Sequence, residues 1–374
     1  MRTSLRWVVL AVVGAACLLP IPVESASLTN RQLQTIRKLV RDHMAEWKVP
    51  GATASIGLDG RVVWSEGFGY ADLENQVPAR ENSVYRTASI GKAMTATAAM
   101  ALAERGTLDL DAPIQKYCPR FPGKPWPITA RDLISHTSGI RHYGGPNEQA
   151  ELFNTRHYDH VSAAIDIFKD DSLMIRPGSD MLYTTWGYVT LGCVLEGASH
   201  EEFRELMRKT VLVPAGMTDT RDDDPAAIVP NRARGYALES GRLRVARWVD
   251  MSSKMAAGGW ITTAPDLVRF MNAWMSGTLV SRPTMETMLK PYRLPHDGTV
   301  DHFGMGWFVD EYRGSKTAFY GGSTPGISGI ISFIPDRKLA IAVLFNLEEI
   351  PGAKRTALVK DITDVILGAP KAGP

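Results

Sequence analysis

Apolar residues recur at helical spacing over residues 28–47: Leu33, Ile36, Leu39, Val40, Met44 and Trp47 share one face, and Pro50-Gly51 closes the run. The pattern predicts an amphipathic helix. The period then changes. Residues 52–58 and 61–68 read as strands joined by Asp59-Gly60, a dipeptide suited to a tight hairpin. Over residues 85–106 the pattern changes again. After Ser89-Ile90-Gly91-Lys92, the positions from Ala93 to Ala103 are apolar almost all round. A helix without a polar stripe is a buried helix, and Gly106 supplies its stop.

Residues 109–127 are proline-rich and loop-like. Thr129 is placed to cap a short helix through Ile134. Helical spacing follows over 161–168, 186–196 and 201–211. Strand patterning returns over 234–238 and 243–247, around Ser240-Gly241. Thr263 caps a further helix ending near Met275. Residues 303–309, 327–334 and 339–344 read as strands, with Asp336-Arg337-Lys338 turning the last pair, and 353–367 reads as a closing helix. The order helix, strands, helices, strands, helix predicts an α+β fold. An antiparallel sheet flanked by helices should draw on both chain ends, with a mostly helical lobe between. The expected lobes are about 27–112 with 230–374, and about 113–229. The buried helix that begins at Ser89 would sit at their junction, where clefts form.

Residues 1–26 stand apart. Arg2 and Arg6 precede an apolar run from Trp7 to Leu19, followed by Pro20-Ile21-Pro22 and small residues at Ser25-Ala26. This is the pattern of a cleaved secretory signal peptide, which implies a periplasmic or secreted protein. No other run is long enough to span a bilayer as a helix, so no stable membrane span is expected in the mature chain. The formal charge of +2 suggests no nucleic-acid partner. Cys118 and Cys193 remain after the signal. They lie in unrelated contexts, a proline-rich turn and an apolar helix, and are expected to be free or buried thiols. No His-Glu-x-x-His is present, and two cysteines cannot make a structural zinc site alone, so no metal and no cofactor are expected. Asp222-Asp223-Asp224 reads as a solvated loop. His136 and His142 read as structural or rim residues.

The chemistry-bearing residues are Ser89 and Lys92. Three apart on a helix, they share a face. Ser89 also stands at the helix start, where free backbone N–H groups and the positive end of the dipole favour an oxyanion. A serine nucleophile with a lysine beside it suits acyl transfer. Ser-x-x-Lys is a short motif, but Ser89 is the only serine in the chain with a lysine three residues on, and it opens the most apolar helix. No serine lies in Gly-x-Ser-x-Gly, the nucleophile elbow of α/β-hydrolases.

Further stretches match a known family. YRTASIGKAMTA around Ser89, LISHTSGI around His136, PGSDMLYTTWGY over 177–188 and MAAGGWITTAPDLVRF over 255–270 resemble the serine β-lactamase and penicillin-binding-protein superfamily, in its class C-like branch with D-alanyl-D-alanine peptidases and family VIII esterases. Ile140-Arg141-His142-Tyr143, Asn231-Arg232-Ala233-Arg234 and VDMSSKMAAGG look closest to the branch's mitochondrial members. The resemblance implies a β-lactamase/transpeptidase-like fold over 27–374 and an active-site serine hydrolase working through an acyl-enzyme. Esters, peptide-like amides, D-Ala-D-Ala ends and β-lactams are the substrate classes it allows. A low-turnover penicillin-binding or scaffold protein of the same fold is the alternative. Ser89 would be the nucleophile, Lys92 would help take its proton, and Tyr183 would be the second base or acid. The oxyanion hole would combine the backbone N–H of Ser89 with that of Ser323. Two positions depart from the family pattern. Thr185 stands for the usual asparagine, and Tyr320-Gly321-Gly322 stands for Lys-Thr-Gly or His-x-Gly. The resemblance then implies that Tyr320 offers a substrate carboxylate only an uncharged hydroxyl, which favours neutral esters over carboxylate-bearing β-lactams. Lys316-Thr317-Ala318 is a rival third motif, and Arg313 or Lys316 a rival source of charge.

Overall fold

The computed structural model describes residues 27–292 and 302–368. The signal segment expected over 1–26 lies outside the described residues. Helix α1 (Asn30–Trp47) precedes the hairpin of β1 (Gly51–Leu58) and β2 (Arg61–Asp72). Two short strands, β3 (Val77–Pro78) and β4 (Tyr85–Arg86), lead into helix α2 (Ile90–Glu104). The chain then runs through α3 (Ala130–Ile134), α4 (Glu148–Leu152), α5 (Thr185–Ser199), α6 (Phe203–Met207) and α7 (Val213–Ala215). Strand β5 (Arg221–Asp222), the hairpin of β6 (Tyr236–Glu239) and β7 (Arg242–Val245), helix α8 (Met255–Gly258) and strand β8 (Trp260–Thr262) follow. Helices α9 (Ala264–Met275) and α10 (Arg282–Met288) precede β9 (Phe308–Tyr312), β10 (Ser315–Thr324), β11 (Ile327–Ile334), β12 (Leu339–Phe345) and α11 (Gly352–Leu367).

Seven strands form one antiparallel sheet in the order β3-β2-β1-β12-β11-β10-β9. Strands from the two chain ends meet at β1 and β12, with Ala52 opposite Phe345 and Leu58 opposite Leu339. The sheet is covered on both sides, and the period of two sorts its residues. Ala54, Ile56, Ile330, Ile341 and Val343 pack with Ile36 and Val40 of α1 and Leu358 and Ile362 of α11. Ile331, Phe333, Ala340, Ala342 and Leu344 join the other core, with α2 and α9. Strands buried on both faces read as continuous apolar runs, which is how β11 and β12 stood out.

Caps form at the two threonines expected to cap: Thr129 and Asp132 make a capping box on α3, and Thr263 accepts from the backbone of Asp266 on α9. Thr29 and Gln32 make a further capping box on α1, one not expected from the sequence pattern. Helix α2 buries every residue from Ile90 to Leu102. Its alanines allow close neighbours. A Cβ added at Gly306 would lie 2.2 Å from that of Ala96.

Three expectations are corrected. The strand placed at 303–309 begins instead at Phe308. Gly306, at φ 86°, bends the chain, so Phe303, Met305 and Trp307 fill the core as an irregular segment. Asp223 is not in a solvated loop: it is buried and pairs with Arg86 and Arg232. Cys118 and Cys193 are not free thiols but a disulfide, with Cα atoms 5.5 Å apart. The reason is the close seating of α5 on the turn that holds Cys118. A Cβ at Gly197 would come 1.7 Å from Tyr117 O, and Cys193 sits one helical turn earlier on the same face.

This bridge closes a loop of 75 residues, which on chain-entropy grounds contributes roughly 4.5 kcal/mol. Replacing both cysteines by alanine is expected to lower unfolding stability by about that amount in denaturant titration. A peptide map without reductant should show the two peptides linked. Alkylation of both thiols in unreduced, denatured protein would rule the bridge out.

Candidate active site

Ser89 caps the N-terminus of α2, yet its hydroxyl makes no capping hydrogen bond. Serine at that position normally folds back onto the helix N–H groups. Here the turn before it is set by Ala88, in the left-handed region at φ 46°. From Thr87 to Leu102 only Ser89 is not buried. The core thus holds the helix, and its tip presents one hydroxyl to the cleft.

Lys92 lies one turn on, 1% exposed. Its Nζ donates to Ser89 Oγ at 3.1 Å, Thr185 Oγ1 at 3.2 Å and Ala257 O at 3.4 Å. Three acceptors match the three N–H bonds of an ammonium. Thr185, the first residue of α5, therefore holds Lys92. Its hydroxyl does so in place of the longer amide of asparagine.

Tyr183 donates to Ser89 Oγ at 2.8 Å. Lys92 Nζ lies 5.0 Å from the centre of its ring. The residues around Tyr183 are clamped. His136 packs its ring 4.4 Å from that of Tyr183, receives Leu182 N–H at its carbonyl and Thr184 N–H at Nδ1. His142 receives Thr185 N–H at Nδ1 and meets Tyr183 edge-on. Both histidines act as acceptors at Nδ1 and are neutral. Burial, aided by the charge of Lys92, drops His136 well below the usual range and His142 to about 4.

Tyr320 is corrected most. Its side chain is fully buried on β10, so its hydroxyl does not face a substrate carboxylate. It lies 3.4 Å from His136 Nε2. With Nδ1 of His136 occupied as an acceptor, Nε2 carries the proton and donates to Tyr320. Burial and the neighbouring Tyr183 oxygen hold its own proton far above the usual phenol range.

Gly322 and Gly321 have separate reasons. A Cβ at Gly322 would lie 2.7 Å from Thr87 O and 3.0 Å from Ser89 N, so β10 can rest against the Ser89 turn only with glycine there. A Cβ at Gly321 would press on Arg355 at 3.2 Å. The Ser323 hydroxyl is spent within the fold, donating to Ile327 O of its hairpin and accepting from Glu349 N beyond β12. Strand β9 pairs with β10 only from Ser315 to Phe319, which leaves Tyr320 to Thr324 as an open edge beside Ser89.

Two charged residues near the site escaped the sequence. Arg355 of α11 donates Nη1 to Gly322 O and Gly329 O, pinning β10 to β11. Its signal was its place in the stripe Arg355, Leu358, Val359, Ile362, all buried on one face. The rival charges are elsewhere. Arg313 pairs with Asp364, and Lys316 lies by Trp274, Pro335 and Asp336. The second is Lys254, 3% exposed, which borders the same small void as Ser89 and Lys92. Its Nζ donates to Leu152 O at 2.6 Å and lies over the Tyr143 ring, with no carboxylate in salt-bridge range among the described residues. Burial, then the charges of Arg86 and Lys92, bring its ammonium down to about 7.

The sheet, the buried helix and this pocket define a β-lactamase-like fold. The chain belongs to the beta-lactamase family, the serine-hydrolase family of β-lactamase and penicillin-binding-protein type: the family profile matches residues 36–363. It is 29% identical over 439 aligned residues to the serine beta-lactamase-like protein LACTB, mitochondrial, of Mus musculus, covering 88% of this chain and 79% of that protein. It is 26% identical to penicillin-binding protein 4* of Bacillus subtilis, covering 83% and 71%. The octameric penicillin-binding protein homologue from Pyrococcus abyssi superposes with a TM-score of 0.78 at 28% identity, over 90% of this chain and 78% of that one. No helix among the described residues is long and apolar enough to cross a membrane.

Lys254 gives a pH prediction. Between about 7 and its ordinary 10.5 the unfolded chain keeps a proton that the folded chain releases. Folding stability from this group therefore rises with pH through that window and is lost toward pH 7. Lys254→Met is expected to stabilise the protein at pH 7 by ~1–4 kcal/mol and to flatten the rise in Tm between pH 7 and 10. An unchanged slope in a pH series of melting curves would contradict it.

Proposed function

We propose that the protein is a serine hydrolase that cleaves ester and peptide-like amide bonds through an acyl-enzyme on Ser89. One observation carries this reading: the Ser89 hydroxyl, at the tip of a buried helix, touches both Tyr183 and Lys92. Lys92 has all three N–H bonds committed, so it serves as fixed positive charge. Tyr183 is the base. It acts in its ionised form, its oxygen 2.8 Å from Ser89 Oγ. The Ser89 proton passes to Tyr183 as Oγ bonds to the substrate carbonyl carbon. The carbonyl oxygen becomes an oxyanion against the backbone N–H groups of Ser89 and Ser323. Tyr183 then gives the proton to the departing alcohol or amine, and the C–O or C–N bond breaks. A water molecule repeats the sequence, with Tyr183 taking its proton and returning one to Ser89. No step calls for a metal or a cofactor.

Tyr320 stands behind the base rather than against substrate, and His136 holds Tyr320. We also infer that the protein works in the periplasm or outside the cell. The signal-like pattern of residues 1–26 supports this, as does the disulfide, a feature of oxidising compartments.

Ser89→Ala is expected to remove nearly all turnover of a short p-nitrophenyl ester while the melting curve stays native. A serine-directed phosphonate should add mass to the Ser89 peptide, and label on another serine alone would refute the assignment. Tyr183→Phe should slow acylation ~100- to 10,000-fold. Tyr320→Phe, which removes the hydroxyl held by His136 Nε2, should cost about tenfold, as for one neutral hydrogen bond. EDTA should leave the rate unchanged. A chromogenic cephalosporin and a D-Ala-D-Ala peptide in the same panel separate the esterase from a β-lactamase or carboxypeptidase.

A further inference from the structure

A cavity of about 270 Å³ opens where the chain on either side of the β6–β7 hairpin meets the turn between β10 and β11. Four arginines border it, Arg86, Arg232, Arg234 and Arg247, together with Trp248. Among the described residues no acidic side chain borders it. It shares no bordering residue with the void at Ser89, Lys92 and Lys254. Gly235 and Gly326 meet backbone to backbone in its wall: a Cβ at Gly235 would lie 2.5 Å from Gly326 Cα, and one at Gly326 would lie 2.7 Å from Gly235 Cα. A backbone contact, not a set of mobile side chains, therefore holds this part of the wall.

The arginines are not answered one for one. Arg86 and Arg232 share Asp223, and Arg234 pairs with Glu74. Arg86 spends its other N–H groups on Pro325 O and Val249 O, so it is a wall and a charge. Arg232 gives Asp223 only Nη2. Burial, then the charges of Arg86 and Arg221, bring its guanidinium below the ordinary range, a mark of a positive surrounding. Arg247 has no carboxylate in salt-bridge range among the described residues. Its guanidinium lies 3.8 Å from the centre of the Phe153 ring. Stacking engages the flat face of the group and leaves its in-plane N–H fork free. The carboxylate of Glu348 is taken up by Gly326 N at 2.7 Å and does not border the cavity. Trp248 is 57% exposed, although Val249 beside it is buried. The core does not account for an open indole at this place.

We propose that this cavity is a binding site for a phosphate monoester carried on a flat ring, separate from the Ser89 pocket. Four guanidinium groups facing two carboxylates leave two positive charges over, and a phosphate monoester carries close to two negative ones at neutral pH. Guanidinium forks take phosphate oxygens in pairs, and the three free oxygens can be divided among Arg232, Arg234 and Arg247. A carboxylate has one charge and two oxygens, so it satisfies fewer of these donors. The indole of Trp248 offers the ring a face to stack on.

The test is isothermal titration of the full chain with phenyl phosphate, inorganic phosphate and benzoate. Phenyl phosphate is expected to bind best. Inorganic phosphate should be about threefold weaker for want of the ring, and benzoate about tenfold weaker for want of the second charge and the third oxygen. Arg247→Gln should weaken phenyl phosphate about tenfold and leave turnover of the p-nitrophenyl ester within about twofold. Arg247→Lys keeps the charge without the fork and should recover only part of the loss. Trp248→Ala should bring phenyl phosphate down to the level of inorganic phosphate. Both side chains are exposed, so native melting curves are expected for all three variants. Ser89→Ala should bind phenyl phosphate as the wild type does, which keeps this site distinct from the hydrolase reading. Benzoate binding as tightly as phenyl phosphate, no saturable binding of either phosphate, or an affinity unchanged by Arg247→Gln overturns the proposal.

Discussion

Strand β10 and the turn before helix α2 approach to a distance that only an absent side chain allows. Thr87 O and Ser89 N occupy the space that any Cβ at residue 322 would take. This contact ties the sheet to the buried helix. It places the open edge of β10 beside Ser89, and it carries Tyr320 inward to meet Tyr183. Helix α2 supports the contact from behind. A helix buried from Ile90 to Leu102 has no freedom to tilt, so the hydroxyl at its tip is fixed to within the tolerance of core packing.

The electrostatics of the site follow from an excess of buried positive charge. Lys92, Lys254, Arg86 and Arg355 all lie in or next to it, and burial lowers Lys254, Arg86 and Arg355 alike. Asp223 answers Arg86 and Arg232, but Lys254 has no such partner among the described residues. A region poised in this way is costly for the fold and favourable for a developing oxyanion or a phenolate. The two neutral histidines fit the same balance. A protonated ring at His136 or His142 would add charge where it is least tolerated, so each serves as a hydrogen-bond acceptor and as an aromatic wall for Tyr183.

Replacing a charged third-motif residue by Tyr320 changes what that position does. The resemblance implied a role against substrate. Its burial and its one hydrogen-bond partner tie it instead to His136, which holds the segment Leu182–Thr184. A family pattern locates positions well. What a changed residue does there depends on neighbours that come from distant parts of the chain.

Local pattern alone determined the α+β class, the caps at Thr129 and Thr263, the β1–β2 hairpin and the buried helix behind Ser89. These are short-range matters of period, capping and turn chemistry, and Ser89 with Lys92 lies within one helical turn. The link from Ser89 to Tyr183 and Ser323 came through the family resemblance, because nothing in spacing joins positions 89, 183 and 323. Only the tertiary structure decided the rest. It joined Cys118 to Cys193, drew Asp223 to two arginines, turned Tyr320 inward, and brought Lys254 and Arg355 to the site. Each of these depends on which elements pack together. A buried charge or a polar side chain is read from sequence as solvated until its partner, a hundred or more residues away in the case of Lys254 and Leu152, is seen beside it.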